Sequence, residues 1–400
     1  MTRQILKVSN ELELGLSGVN AREVLGRVGR RLDVTGEVNP RDCLELRVSM
    51  ASNLIELNER LRKDTSQLSD EVHGMGGKLY GGGLILADTS SIDPIWHRTT
   101  ALSEKCGRGF LNVMSQQITI GINNEYLGLE LYNFYRRINP IILAMSASSP
   151  YEYKNPSQIN DTGHQSSRIA GYMNFLSCFP KDMIEAPYLM SKTGYWSVIE
   201  ALSTEIKDMV ARRELDSNLI ELTRIRSENG RTYSHWPFEN LDPHQIFWFV
   251  RPRPDFENEA NRFVIELRIP DAPIRIDNAQ MINQFVVGLA YYIARNGSQS
   301  MNIPFEGSYP ELLEVNMHGM NAEINGFKIN HMIEYLSDCA ISGIREEGQG
   351  EEARIFARRV SDLLNGGNDS NRIRSFMNSG HKENAAPEKL ITYLAEELRS

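Results

Sequence analysis

Charges set two residues apart inside apolar, strand-like runs constrain this chain more than any other feature. The opening run ILKVSNELEL carries Glu11 and Glu13, and the runs QIFWFVR and RFVIELRI carry Arg251, Glu266 and Arg268. On a strand, side chains two apart share a face, so Glu11 projects beside Glu13 and Glu266 beside Arg268. Neighbouring carboxylates repel unless a cation or a proton intervenes. A solvated strand face accounts for Glu11 and Glu13 taken alone, and a structural ion pair accounts for Glu266 and its arginines. The alternative for both is a sheet face organised around a charged ligand.

The rest of the chain supplies such a sheet. Residues 4–15, 43–51, 117–122, 245–251 and 262–269 have strand character. Helical spacing covers 20–32, with Asn20 placed to cap it, then 53–73, 95–113, 125–147 interrupted at Pro140, 167–178 and 196–213. From residue 276 the chain reads almost wholly as helix, over 276–295, 308–317, 329–347, 351–365 and 386–399. GMGGKLYGGG at 74–83 reads as a turn-rich connection. The polar, proline-bearing stretch 148–166 reads as a functional loop or lid. Strands and helices follow one another without βαβ alternation, which favours an α+β fold with an antiparallel sheet backed by helices.

Further polar groups fall on these strands and helix starts. Glu45, alternating with Arg47 and Ser49, adds a third carboxylate if its strand neighbours the first. Gln117 and Thr119 share a face, beside Gly121, which lets another group approach closely; the wet side of a sheet explains them equally well. Ser166, Ser167 and Arg168 follow a polar loop, where hydroxyls and a guanidinium can hold an anion or a serine can simply cap the helix. A carboxylate beside guanidinium groups, as at Glu266 with Arg251 and Arg268, suits a site that takes a cation and a polyphosphate together.

Several classes are excluded or disfavoured. The formal charge of −9 argues against nucleic acid as a partner, since that affinity comes from a basic surface. The eight histidines show no HExxH spacing, GxSxG and GxGxxG are missing, and GK in GMGGKLYGGG is not followed by Ser or Thr. The four cysteines form no CxxC pair, which fits a reducing cytoplasm. The N-terminal residues have no signal-peptide core and no stretch approaches a membrane span, so a cytoplasmic chain with no membrane partner is expected.

Taken together and in order, the motifs resemble the glutamate–cysteine ligase-like carboxylate–amine ligases of the glutamine synthetase-like superfamily. SNELEL resembles the family's opening G-x-E-x-E strand. QITIG is similar to its H-V-H-V-G strand, and NPIILAMSASSP to its P-x-L-L-A-x-S-A-x-S-P helix end. Ser166-Ser167-Arg168 fits the S-S-R element. WFVRPRP and VIELRIPDAP look like the paired strands that carry Arg251, Glu266, Arg268 and Asp271. The resemblance runs from about residue 8 to 330, and the C-terminal 70 residues add no motif to it. It implies a catalytic domain over 1–330 with a helical extension, 331–400, packed on it. It also implies a curved, mainly antiparallel sheet forming an active-site funnel. Within that funnel it implies Mg²⁺ held by Glu11, Glu13, Glu45 and Glu266. ATP would be met by Arg268, Gln117, Thr119 and Ser167, with Arg251, Arg268 and Arg168 acting in catalysis. The implied reaction joins an amino acid, glutamate or a relative, to an amine through an acyl phosphate.

The chain departs from the family at Ser49, where a second glutamate is expected, and at Gln117 and Thr119, where histidines are. A family member that binds nucleotide or amino acid without ligation is therefore the alternative. The apolar helix 125–147 leaves a homo-oligomer open.

Overall fold

The computed structural model describes residues 5–29, 31–36, 41–88, 113–176, 186–190, 198, 201, 249–252, 263–379 and 386–400. The helices expected over 95–113 and 196–213 lie outside these residues, except for Val113, which forms an isolated bridge with Leu84, and Val198 and Ala201.

The first strand organises everything else. β1, Ile5–Ser17, is 13 residues long and pairs along its length with both neighbours. β2 (Val34–Gly36), β3 (Cys43–Ala51), β4 (Lys78–Tyr80) and β5 (Gln116–Ile122) follow it in the chain. β8 (Val250–Pro252) and β9 (Phe263–Leu267) complete a seven-stranded sheet in the order β2-β3-β1-β5-β9-β8, with β4 also paired to β1. Every pairing in it is antiparallel. The smaller hairpin β6–β7, Tyr151–Asn155 and Gln158–Asp161, stands apart from this sheet.

One face of the sheet is apolar and covered by helices. Leu12, Leu14, Leu44, Leu46, Ile118, Ile120, Ile265 and Leu267 are buried on it. α1 (Ala21–Val28) starts from a capping box in which Asn20 and Glu23 satisfy each other's backbone N–H groups. α2 (Leu54–Gly74) is capped by Asn53. α2, α3 (Glu125–Ser146) and α5 (Ile276–Asn296) pack across the sheet's covered side. α4, Ser167–Leu176, follows the β6–β7 hairpin. α6 (Tyr309–His318) precedes a short hairpin, β10–β11 (Glu323–Ile324 and Phe327–Lys328). α7 (Ile329–Glu346), α8 (Gly350–Gly366), α9 (Asp369–Asn378) and α10 (Pro387–Arg399) complete the chain. α7 and α8 pack on α5, and α10 packs on β4. Among the described residues no helix is long and apolar enough to cross a membrane.

Three local readings change. α3 runs through Pro140 without a break. Proline removes one helical hydrogen bond and frees the carbonyl four residues earlier, that of Arg136. The segment 303–307 closes over this point. Arg137 Nε donates to the Phe305 carbonyl at 2.8 Å, and a Cβ on Gly307 would stand 1.9 Å from the Arg136 oxygen. The glycine-rich stretch 74–83 is also more than a turn, because it holds β4. The Tyr80 ring lies where a Cβ on Gly15 would be, and a Cβ on Gly81 would stand 1.9 Å from the Pro273 oxygen. Glycine serves close backbone approach at both places. The stretch 148–166, expected as a loop or lid, is a hairpin whose ends are buried, with Ser148, Ser149 and Ser166 all 2% exposed or less.

Candidate active site

The register of the sheet decides which charges meet. Glu13 lies directly opposite Glu45, Glu11 opposite both Arg47 and Gln117, and Thr119 opposite Ser9 and Glu266. Arg251 in turn lies opposite Glu266. Directly paired residues point to the same side of a sheet, and residues two apart along a strand share that side. Glu11, Glu13, Glu45, Gln117, Thr119, Arg251 and Glu266 therefore all stand on the face turned away from α2 and α5. Arg268 continues this face one step beyond β9.

The acids are buried there. Glu45 is 4% exposed, Glu266 1% and Glu13 7%. Glu13 accepts from the Ser115 backbone N–H at 2.6 Å and from Gln117 Nε2 at 3.1 Å. Burial, and then the facing Glu45, push Glu13 up to about 7, against the pull of Ser115 and Arg168. Glu266 is gripped by the Arg251 fork, with Nε at 2.8 Å and Nη2 at 3.3 Å, and Arg268 Nε stands 3.8 Å away. Burial works against the Arg268 charge, yet Glu266 and, more weakly, Glu13 and Glu11 hold it above its ordinary value. Glu45 accepts from Arg47 Nε and, at 3.4 Å, from Thr35 Oγ1.

Other residues singled out in the sequence take different places. Gln117 presents its amide nitrogen to Glu13. Ser49 is exposed, and its hydroxyl accepts from Arg60 at 3.2 Å. Ser167 Oγ bonds Thr162 Oγ1 at 2.6 Å and so ties the β6–β7 hairpin to α4. Ser166 caps α4, accepting from the Ile169 N–H at 3.1 Å. Arg168 is 2% exposed and packs 5.7 Å over the Tyr172 ring. Its Nε meets Asp271 at 2.7 Å, and its Nη2 donates to the carbonyls of Ile269 and Arg268. That geometry makes Arg168 a brace behind the end of β9, where a direct part in catalysis had been expected of it.

Asp271 is the residue that sequence reasoning undervalued. It is wholly buried and accepts from Ser148 N–H, Ser149 Oγ, Ser166 Oγ and Arg168 Nε, all between 2.7 and 2.9 Å. It also bridges to Ser115, whose N–H holds Glu13. Its position between the two prolines of IPDAP, just past an apolar strand, is the signal that marks it.

Among the described residues no three His, Cys, Asp or Glu side chains are close enough together to enclose a metal ion. The donors nevertheless fit magnesium. They are hard oxygens, Glu13 faces Glu45 without an intervening charge on their pairing line, and Mg²⁺ is commonly held by one or two carboxylates with water and phosphate oxygens completing its shell.

Comparison with solved structures places this fold. A glutamate–cysteine ligase from Francisella tularensis in complex with AMP superposes over 100% of this chain and 90% of its own, with a TM-score of 0.64 at 12% identity. A bifunctional glutathione synthetase from Pasteurella multocida matches 98% of this chain and 53% of its own, with a TM-score of 0.62 at 15% identity. The fold is thus the one these ligases use, an α+β sheet backed by helices. Curated relatives provisionally named glutamate–cysteine ligase 2 are similar in sequence as well. One from Azoarcus sp. is 23% identical over 72% of this chain and 68% of its own length. One from Legionella pneumophila is 23% identical over 76% and 69%. The model of glutamate–cysteine ligase family 2 matches residues 11–387, and the chain belongs to that family. It is a ligase of the glutamate–cysteine ligase type. The match continues past residue 330 through most of the C-terminal helices, where motifs alone gave no resemblance.

Proposed function

We propose that this sheet face joins the carboxylate of an amino acid, glutamate or a close relative, to an amine through an acyl phosphate. The observation that carries the reading is the convergence on one face of Glu13, Glu45, and Glu266 held in the Arg251 fork. A carboxylate oxygen of the acid attacks the γ-phosphorus of ATP and ADP leaves. The amine then attacks the acyl carbon, loses a proton, and phosphate departs. Little covalent work falls to the protein, so positioning and charge neutralisation dominate.

Glu13 and Glu45, with Glu11 beside them, would hold Mg²⁺, which when bound supplies charge neutralisation to the triphosphate. Arg268, only partly covered at 24% side-chain exposure, is the guanidinium best placed to meet a phosphate or substrate carboxylate. Arg251 orients Glu266 through its fork. Gln117 orients Glu13, Thr119 lines the floor between Ser9 and Glu266, and Ser167 and Arg168 fix the wall behind them.

The test is a panel of acid and amine pairs incubated with the full chain, ATP and Mg²⁺, with ADP, phosphate and product mass read out. Acid-dependent ADP release with a condensed product is expected. The departures at Ser49, Gln117 and Thr119 favour one rival, a binder without turnover. Thermal stabilisation by ATP and an amino acid with no phosphate released from any pair would decide for that rival.

A further inference from the structure

Among the described residues of the polar face, Arg47 is a cation beside the acids that the reaction above does not use. Arg47 stands on β3 directly opposite Glu11 and two residues from Glu45, so its side chain enters the same face as the acids. Its Nε donates to Glu45 Oε1. Its backbone is fixed as well, with the N–H on the Asp33 carbonyl at 2.8 Å. The side chain is 46% exposed while that of Glu45 is 5% exposed. The guanidinium thus approaches from solvent and lies across a carboxylate that is otherwise buried. Ser49, the next residue on that side of the strand, is turned to Arg60 and adds no oxygen to the acids.

Resting on the ligase reading, we infer that Arg47 is a resident counter-ion for Glu45, a positioning residue that limits how many divalent cations the carboxylate row takes up. A guanidinium stays charged at every working pH and cannot act as a metal ligand. It neutralises Glu45 on the solvent side and repels a second divalent ion brought beside it. The ion that remains is confined to the side of the row nearest Glu13. This accounts for a face rich in acids on which no three described acids close around a common point. Arginine here does part of the work that a further metal ion would otherwise do, and it needs no metal from solution.

The experiment counts ions and does not depend on turnover. Mn²⁺ uptake by the full chain is titrated by electron paramagnetic resonance, with and without a non-hydrolysable ATP analogue. Wild type is compared with Arg47→Gln, Arg47→Met and Arg47→Lys. The Gln and Met variants are expected to bind about one further Mn²⁺ per chain, and the Lys variant to keep the wild-type count. Adding Glu45→Gln to Arg47→Gln should abolish the extra ion. A surface ion pair with only a structural part would change stability and leave the count alone. An unchanged count in whichever of the Gln and Met variants folds overturns the inference, whether the wild type binds Mn²⁺ or none. Acid-dependent ADP release by the same wild-type preparation judges the ligase reading separately. Turnover combined with unchanged Mn²⁺ uptake in the variants removes only the role of Arg47.

Discussion

Glu13 and Asp271 are two buried carboxylates joined through one residue, Ser115, and they are treated in opposite ways. Asp271 is surrounded by donors, from Ser148, Ser149, Ser166 and Arg168. Glu13 receives two donors, Ser115 and Gln117, and is left facing Glu45. An acid whose lone pairs are filled by the protein is architecture, because it knots the start of β5, the hairpin β6–β7 and the start of α4 together. An acid set against another acid, and pushed up to about 7 by burial and that neighbour, carries an electrostatic cost that a bound cation relieves. The two motifs look alike in sequence, a charged residue at an apolar strand, and their surroundings separate them.

The contrast is most exposed to failure at Asp271. Asp271→Ala leaves the Arg168 guanidinium 2% exposed without its acid. Removing one partner of a buried pair costs about 3–5 kcal/mol, so urea unfolding should show a loss of that size. A loss below about 1 kcal/mol would mean that the serines and carbonyls hold Arg168 unaided, and the architectural reading of Asp271 would fall.

Glu13→Gln tests the other side. The substitution keeps shape and removes the facing charge, so turnover should drop by roughly 10²–10³-fold with no loss of thermal stability. Initial rates with the acid and amine identified in the panel, beside a melting curve, check both halves. A variant that keeps full turnover removes Glu13 from the site.

Asp369 offers an intermediate case, since it has donors and is still strained. At the start of α9 it accepts from the Ile274 N–H at 3.0 Å and from Asn278, yet burial pushes it up to about 6 from 3.8. A carboxyl with a raised folded pKa binds its proton more tightly in the folded chain. Its effect is neutral below about pH 4, and stability is lost as pH rises from 3.8 to about 6. The loss is on the order of 2–3 kcal/mol. Asp369→Asn should abolish this slope, so the variant gains on the wild type between pH 4 and 7 in denaturant unfolding. Parallel pH profiles would show that the donors fully offset burial.

Much of this arrangement was legible in the sequence. The period of two at Glu11 and Glu13, and at Glu266 and Arg268, placed charges on a common face before any register was known. Asn20 and the serines before Arg168 marked helix starts. Register was the missing quantity: nothing in CLELRVSMA says that Glu45 rather than Arg47 will face Glu13. Gln117 illustrates a second limit, because only geometry shows that it meets the site through its nitrogen. The hairpin at 151–161 was hidden by polarity, since Tyr151 and Ile159 are the buried apolar residues of its strands. Pro140 misled for a related reason. The segment that closes over the carbonyl it frees, 303–307, lies far away in the chain.

The smallest effect tests how sharply the two regions are divided. Ser166→Ala removes one hydroxyl that donates to Asp271 Oδ1 at 2.8 Å and accepts from the Ile169 N–H at 3.1 Å. Arg168 Nε remains on the same Asp271 oxygen at 2.7 Å, so the acid keeps its charge partner, while α4 loses its cap. The expected cost is about 1 kcal/mol, seen as a shift in the denaturation midpoint, with turnover within about twofold of wild type once both chains are folded. That outcome holds the Asp271 knot apart from the chemistry a few residues away at Glu13. A tenfold fall in turnover without a matching loss of stability would show instead that strain in the knot reaches Glu13 through Ser115, and the two acids would then belong to one site.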